Sequence, residues 1–305
     1  MARQTVVLGA GMVGVSIAWQ LQKRGYQVTL VDRRQPGRET SFGNAGIIQR
    51  EAVRPYPFPR DMKTILSVLP NRRVDIRYRP AGMVNAASPL LSYWHHSSSR
   101  LYKKIVPEYA SLIQLCLDAH APMIEAAGAE HLVRKEGWLE IYRTPEKLAK
   151  RVKEAEEARE LYGVQFTVLD REALGEKEPQ LGNKIIGAIH WLDPWTVADP
   201  GGLVAAYAAS FEAMGGQLVQ ADITGITQQN DRWKVTTSAE SFEAEQVVMA
   251  LGPWAGQWMK PLGYHFPTFV KRGYHMHYAT QPTAKLNYWL MAAEIGYLLA
   301  PMNAG

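Results

Sequence analysis

The feature that most restricts the fold of this chain is a glycine-rich turn close to residue 1. Three glycines, spaced as Gly-x-Gly-x-x-Gly over residues 9–14, follow the apolar run 5–9 (TVVLG). Residues 11–24 carry apolar side chains at helical spacing, and a second apolar run, 27–32 (QVTLVD), comes next. Because both runs are apolar throughout, the pattern predicts two parallel strands joined by a helix, in a sheet covered on both faces.

The spacing of the glycines predicts a binding site for the pyrophosphate of a dinucleotide. Gly9 permits the tight turn, Gly11 lets the backbone approach the phosphates, and Gly14 lets the helix pack closely on the strand. The helix N-terminus presents N–H groups and a positive dipole end. Asp32 closes the second strand, where it is placed to accept a hydrogen bond from a ribose hydroxyl. The alternatives are a glycine turn without a ligand and a plain surface role for Asp32.

The next segment bears on which dinucleotide is bound. Residues 39–46 (ETSFGNAG) combine small residues, which let the backbone approach a flat ring, with hydroxyls that can bond phosphate or ribityl oxygens. The glycine pattern does not distinguish FAD from NAD, and the same composition is also found in an ordinary Ser/Gly/Asn turn. An NAD(P)-dependent enzyme therefore stays open as an alternative.

Together these segments give a resemblance to a known family. The sequence resembles the FAD-dependent D-amino-acid oxidases and dehydrogenases, most closely the small-subunit branch of D-amino-acid dehydrogenase. The specific matches are VVLGAGMVGVSIAWQLQKRGYQVTLVDRR and ETSFGNAG; weaker ones include GWLEIYRT, VVMALGPWA and KRGYHMHY. The resemblance implies an α/β (α+β) fold, with a Rossmann-like FAD-binding domain interwoven with a mixed-sheet substrate domain. The implied FAD-binding segments are 1–85 and 146–262, and the implied substrate segments are 86–145 and 263–305.

The resemblance also implies which residues contact FAD. The glycines would hold the pyrophosphate, Asp32 the adenosine ribose, and Arg33 would lie near the adenine. The full set of implied contacts is Gly9, Gly11, Met12, Val13, Gly14, Asp32, Arg33, Ser41, Asn44, Ala45, Gly46, Ile223, Ala250, Gly252 and Trp254. For Ala250, Gly252 and Trp254 the alternative is a buried strand that ends in a Gly-Pro turn.

The chemistry implied by the resemblance is the oxidation of an amine. A hydride leaves the substrate Cα for the flavin, and water hydrolyses the resulting imine to a keto acid. Tyr274 and His275 are the candidate catalytic residues, as groups that position the substrate. A strand over 271–278 would put Tyr274, Met276 and Tyr278 on one face and two histidines on the other. A sheet with one buried aromatic face is the alternative; no third ligand accompanies the histidines, so no metal is predicted.

The resemblance leaves the substrate and the electron acceptor open. The expected partners are an amino-acid substrate and a quinone, a carrier or oxygen. One alternative is a glycine- or sarcosine-type amine oxidase that uses oxygen. Another is a catalytically inactive remnant of the FAD domain, because residues 297–305 look like the middle of a strand and turn, beyond which family members continue. In that case we expect loose FAD binding.

Composition excludes several other classes. Hydrophobic residues make up 47% of the chain and charged residues 21%, as in ordinary globular domains. The net charge is +5, but there is no long run of Lys and Arg, so no nucleic-acid partner is predicted. No stretch is long and apolar enough for a membrane span, which predicts a cytoplasmic protein with at most peripheral contact on the inner membrane face. Cys116 is the single cysteine and cannot form an intrachain disulfide.

Further elements are predicted from periodicity. Residues 137–142 alternate like a strand. Residues 145–162 are predicted to form a charged amphipathic helix whose inward face carries Leu148, Val152, Ala155 and Leu161. Asp199-Pro200 opens a helix that two glycines end. The Pro- and Arg-rich residues 52–80 are expected to be irregular, and His95-His96 to lie in a polar loop. Residues 100–127 are expected to form a long helix, with a junction near Pro122.

Overall fold

The computed structural model describes residues 3–72, 78–266, 268, 273–281 and 283–303. Its α-helices are α1 (Met12–Lys23), α2 (Met62–Val68), α3 (Pro80–His96), α4 (Ser99–Ile113), α5 (Cys116–Ala126), α6 (Pro145–Tyr162), α7 (Arg171–Lys177), α8 (Pro200–Ala213) and α9 (Ala255–Met259). Its strands are β1 (Gln4–Leu8), β2 (Gln27–Asp32), β3 (Ile47–Ile48), β4 (Val133–Arg134), β5 (Trp138–Tyr142), β6 (Phe166–Leu169), β7 (Gly187–Trp191), β8 (Trp195–Val197), β9 (Gln217–Gln220), β10 (Ile223–Gln229), β11 (Arg232–Thr237), β12 (Ser241–Ala244), β13 (Gln246–Met249), β14 (Leu290–Ala292) and β15 (Tyr297–Leu299).

The chain divides into two compact units. The first unit comprises residues 1–45, 120–132 and 199–276, and the second unit comprises 46–119, 133–198 and 277–305. The boundaries predicted from the sequence fall elsewhere, because β5, β6, β7 and β14 are hydrogen-bonded in one sheet. Residues 146–198 therefore belong with the last part of the chain rather than with the glycine turn. Which unit holds the cofactor and which the substrate stays a prediction.

A four-stranded parallel sheet, in the order β13-β1-β2-β9, forms the centre of the first unit. The apolar β1 and β2 and the connecting α1 appear where the sequence predicted them. On one face α1 packs beside α8, and the Trp19 indole N–H donates to the Ser210 hydroxyl at 3.0 Å. Val15 and Ala18 of α1 are fully buried.

A second, antiparallel sheet of the first unit has the order β10-β11-β12 and shares an apolar cluster with the parallel sheet. Its Val235 and Ala244 form one apolar cluster with Val6, Leu8 and Val31 of the parallel strands. The β10–β11 hairpin closes through two residues, Asn230 and Asp231, with φ of 48° and 60°. Two successive positive φ values match the right-handed twist of the strands, which makes a two-residue hairpin favourable.

A five-stranded mixed sheet, in the order β15-β14-β5-β7-β6, forms the main core of the second unit. All residues of β5 and β7 are buried. Leu148, Val152 and Ala155 of α6 pack toward this core as predicted, whereas Leu161 is exposed. The prediction for Leu161 was wrong because it lies six positions after Ala155, off the helix face that packs on the core, whereas Tyr162, one residue later, lies on that face. A smaller antiparallel sheet, β3-β8-β4, lies in the same unit.

The structure differs from the sequence-based expectation in three other segments. Residues 52–80 contain α2, whose first turn is capped by the Asp61 carboxylate, which accepts the Thr64 N–H at 2.7 Å. The two histidines at 95–96 end α3 rather than forming a loop. The break in the long helix falls between α4 and α5, with Pro122 inside α5. Residues 273–281 form no strand.

Candidate nucleotide-binding site

The glycine turn has no room for a side chain at Gly9 or Gly14. Gly9 has φ of 105°, and a Cβ at this position would lie 2.4 Å from the carbonyl oxygen of Ala250. A Cβ at Gly14 would lie 1.7 Å from the carbonyl oxygen of Gly9. Both obstacles are backbone atoms, which cannot rotate away. The turn therefore requires glycine at both positions and keeps α1 tight against β1.

The N-terminus of α1 is arranged to bind an anion. Gly11 is its N-cap and offers no side chain, while the Met12 N–H donates to the Ser41 hydroxyl at 2.9 Å. Within the described part of the chain, the N–H groups of Gly11, Val13 and Gly14 have no acceptor. The first turn also contains no acidic residue. Free donors and the positive end of the helix dipole both favour a phosphate at this position.

Asp32 is fixed at the carboxyl end of β2. One carboxylate oxygen accepts the Ala10 N–H at 2.6 Å, and the other accepts the Arg34 N–H at 2.9 Å. These bonds hold the carboxylate beside the glycine turn. Since each carboxylate oxygen has a second lone pair, Asp32 can still accept a hydroxyl donor.

A cluster of side chains lies just beyond Asp32. The Arg33 guanidinium donates to Glu39 at 2.8 Å and lies over the Trp254 ring, 4.5 Å from its centroid. Arg34 contacts the same Glu39 oxygen at 2.9 Å. The structure thus brings together Arg33 and Trp254, two predicted cofactor residues 221 positions apart. Sequence reasoning missed Glu39, for which the available signal was an acid shortly after two arginines.

The small-residue loop lies against the predicted catalytic segment. The Asn44 side-chain amide donates to the Ser41 carbonyl at 2.7 Å. A Cβ at Gly43 would lie 2.3 Å from the imidazole of His275, so the two residues are in contact. Tyr274, by contrast, is 88% exposed. The structure therefore places His275, but not the side chain of Tyr274, at this loop.

The remaining predicted cofactor residues lie near the same sheet edge. The Ala250 N–H donates to the Leu8 carbonyl at 2.8 Å, and Gly252 follows with φ of 52°. Ile223 comes two residues after Ala221, whose N–H donates to the Asp32 carbonyl at 2.9 Å. Ala45 is exposed at the end of the first unit. Gly46 belongs to the second unit, where its carbonyl accepts the Val197 N–H at 2.7 Å.

This cluster follows from the topology of the sheet. Carboxyl ends of neighbouring parallel strands meet at one edge, and ligands of open α/β sheets bind there. The turns after β1, β2 and β13 all begin at this edge in the first unit. The first unit is therefore an open α/β unit with the glycine turn, Asp32 and the Arg33–Trp254 contact at one edge of its sheet.

The second unit holds buried carboxylates that sequence reasoning missed. Glu140, inside β5, accepts the Tyr142 hydroxyl at 2.6 Å, the Trp191 indole N–H at 2.9 Å and the Arg151 Nε at 3.0 Å. Glu51 accepts the Trp138 indole N–H at 3.0 Å, and burial raises its pKa to about 7. An acid in an otherwise apolar strand was the only sequence signal for Glu140.

The comparison with family models identifies the class of the whole chain. Residues 4–304 match the family described as FAD dependent oxidoreductase (DAO). The chain belongs to this family, which confirms the predicted family, enzyme class and cofactor. No helix of the described residues has the length and apolar character of a membrane span, and those residues contain no cluster of candidate metal ligands.

Known proteins show similarity at two levels. A D-amino acid dehydrogenase of Rhizobium johnstonii is 30% identical over 283 residues, 90% of this chain and 67% of that protein. The chain thus spans about two thirds of that relative's length. The solved glycine oxidase from Geobacillus kaustophilus has a TM-score of 0.65 at 18% identity, over 99% of this chain and 70% of that one. An L-amino acid deaminase from Proteus vulgaris has a TM-score of 0.61 at 19% identity, over 86% and 50%. These structures confirm the predicted fold.

Proposed function

We propose that the chain uses FAD to oxidise the CH–NH bond of a D-amino acid to an imino acid, which water hydrolyses to a keto acid. The observation that carries this proposal is the 30% identity to a D-amino acid dehydrogenase along 90% of the chain. The geometry of the first unit supports the cofactor part independently. The mixed-sheet unit is proposed to take the substrate.

The residues of the first unit fit the nucleotide half of FAD. Gly9 and Gly14 form a turn that a Cβ would fill, and the free N–H groups after Gly11 suit a pyrophosphate. Asp32 is proposed to accept from the ribose and Arg33, resting on Trp254, to border the adenine. We also propose the other cofactor contacts that the family resemblance implies: Met12, Val13, Ser41, Asn44, Ala45, Gly46, Ile223, Ala250, Gly252 and Trp254. When bound, FAD supplies the acceptor for the hydride that leaves the substrate.

The chain's own residues then orient the substrate. His275 touches the loop at Gly43, so it is proposed to position the amino acid. Tyr274 is proposed in the same role, although its side chain lies in solvent in this structure. The reduced cofactor is proposed to pass electrons to a quinone, a carrier or oxygen. A cytoplasmic location is part of the same proposal.

The test is a visible spectrum followed by anaerobic reduction. We expect flavin absorbance that denaturation releases as FAD. We expect D-amino acids to bleach it in the absence of oxygen, and the matching L-isomers to leave it unchanged. Bleaching by L-isomers alone would overturn the assignment to D-amino acids. A colourless protein that takes up no added FAD would overturn the cofactor assignment.

A second candidate is an amine oxidase of the glycine or sarcosine type that uses oxygen. The structural similarity to a glycine oxidase favours it. Glycine or sarcosine would then bleach the flavin, and peroxide would form in air at the rate of substrate loss. Weakly held flavin that none of these amines bleaches would instead support a catalytically inactive protein.

A further inference from the structure

Two neighbouring helices of the second unit expose apolar side chains in continuous stripes. On α2 the exposed residues Met62, Leu66 and Leu69 recur at i, i+4 and i+7, which places them on one helix face. On α3 the exposed residues Met83, Leu91 and Trp94 lie at i, i+8 and i+11, which also places them on one side of the helix, with Val84 beside them. We call these seven side chains the α2–α3 surface: Met62, Leu66, Leu69, Met83, Val84, Leu91 and Trp94.

Contacts at both ends hold α2 and α3 side by side. The Arg60 guanidinium, just before α2, lies over the Trp94 ring at 4.0 Å and donates to the Trp94 carbonyl. At the other end, the Tyr78 hydroxyl, just before α3, donates to the Leu69 carbonyl. The helices are therefore antiparallel neighbours. Their apolar stripes are parts of one local surface rather than isolated exposed residues, and such patches mark interaction sites.

The charge along this part of the chain is mostly positive. Residues 52–107 contain ten lysines and arginines but two aspartates, although the whole chain has a net charge of only +5. One of those aspartates, Asp61, caps α2. Exposed cations stand at the helix ends, including Arg60, Arg72 and Arg79. Lys103 and Lys104, in the first turns of α4, are exposed as well.

We propose that the α2–α3 surface docks on an anionic lipid bilayer. Apolar side chains with a tryptophan, bordered by Lys and Arg, match the interfacial region of a membrane, where the apolar face enters and the cations meet lipid phosphates. A second copy of this chain fits less well, since facing surfaces would each bring the same positive border. The proposal does not depend on the proposed reaction.

Vesicle flotation of the full chain tests the proposal. We expect binding to vesicles of phosphatidylcholine and phosphatidylglycerol in equal parts, little binding to phosphatidylcholine alone, and weaker binding as salt rises. The variant Leu66→Glu/Leu91→Glu should partition at least about tenfold less, because two apolar anchors are replaced by charges that the lipid repels. Both positions are more than half exposed, so we expect the variant to fold, and its circular dichroism spectrum and flavin content should match those of the unaltered chain.

Matched control variants distinguish binding through this surface from nonspecific binding to vesicles. Leu161 on α6 is 67% exposed, the same as Leu91, so Leu161→Glu should bind vesicles like the unaltered chain. Lys103→Gln/Lys104→Gln should weaken binding to anionic vesicles about 25-fold, at roughly a factor of five per cation. Lys150→Gln/Lys153→Gln, on α6, should not.

Three outcomes would overturn the proposal. One is vesicle binding by Leu66→Glu/Leu91→Glu equal to that of the unaltered chain. Another is binding that is indifferent to phosphatidylglycerol. The third is a dimer that the double variant dissociates, without vesicle binding, which would assign the surface to self-association. Flavin content and substrate bleaching, measured on the same samples, report separately on the proposed function.

Discussion

The two units of the chain differ in the groups that donate hydrogen bonds to their carboxylates. In the first unit, Asp32 is half-buried at a sheet edge and bonds only backbone N–H groups, which leaves lone pairs for a ligand. In the second unit, Glu140 is buried inside a sheet and its oxygens are occupied by a tyrosine, a tryptophan and an arginine. Replacing the carboxylate at the first edge should therefore affect mainly cofactor binding, while disturbing the carboxylate pair in the second sheet should affect mainly stability.

The largest effect is expected at Gly14. Replacement by alanine puts a methyl group 1.7 Å from the Gly9 carbonyl oxygen, so α1 must separate from β1. We expect Gly14→Ala to cost about 3 kcal/mol or more of unfolding free energy and to abolish FAD retention. Denaturant unfolding and flavin content measure the two effects. Gly175→Ala in α7 is the control, because its new methyl group meets nothing within 4 Å, and it should be neutral or slightly stabilising.

The next effect is expected at Arg151, the cation that balances Glu140. Arg151→Met leaves the Glu140 carboxylate buried without its ion pair. We expect a loss of about 2 to 3 kcal/mol, less than for a fully buried pair because Arg151 is partly solvated. FAD affinity should not change. Lys150→Met, one residue away, removes only an exposed cation 3.9 Å from Glu154 and should cost under about 0.5 kcal/mol. Equal losses in both variants would contradict the role given to the Glu140 pair.

A pH dependence of similar size is expected from Glu51. Burial raises its pKa from 4.5 to about 7, so the folded chain binds more protons than the unfolded chain between these values. The contribution of Glu51 to the free energy of unfolding therefore falls as pH rises from about 4.5 to 7, by roughly 3 kcal/mol, and is constant above.

Glu51→Gln isolates that contribution. The glutamine has no proton to lose and stays neutral. The variant's stability should therefore depend less on pH in this window, and the variant should be more stable than the parent at pH 8 and above. Unfolding midpoints at a series of pH values measure the slope. Glu157→Gln changes an exposed acid paired with Arg54 and should keep the parent's slope. An unchanged slope in Glu51→Gln would show that other groups set the pH dependence.

The smallest effect is expected at Asp32, and it tests the first unit's side of the comparison. Asp32→Asn keeps the shape of the side chain but removes the charge proposed to accept from ribose, and its amide nitrogen can no longer accept one of the two backbone N–H groups of Ala10 and Arg34. We expect FAD to bind about tenfold more weakly, with a loss of about 1 to 2 kcal/mol in the unfolding free energy of the FAD-free chain. Fluorescence titration with FAD measures the affinity. Glu243→Gln makes the same charge change at an exposed position of β12 and should leave the FAD affinity unaltered. A loss of stability in Asp32→Asn as large as that in Arg151→Met would contradict the difference drawn between the two units.

Much of the first unit could be predicted because its signals are local. The strands and helix around the glycine turn follow from apolar periodicity within one stretch of chain, and α8 begins after the capping acid Asp199, as predicted. The prediction failed at α2, which lies within the proline- and arginine-rich residues 52–80, and at His95-His96, which end the helix α3. It also failed at 273–278, where alternation gave no strand. Propensity is a weak guide wherever contacts with distant residues decide the conformation.

The sequence by itself determined the glycine turn of this protein, since a positive φ at Gly9 and a missing side chain at Gly14 are properties of the residues themselves. Only the tertiary structure decided which side chains meet there and which carboxylates are buried. Trp254 reaches Arg33, and Trp138 reaches Glu51, across long stretches of chain. Burial and long-range pairing depend on how separate segments pack together, and that information is spread over the whole sequence rather than held in any one motif.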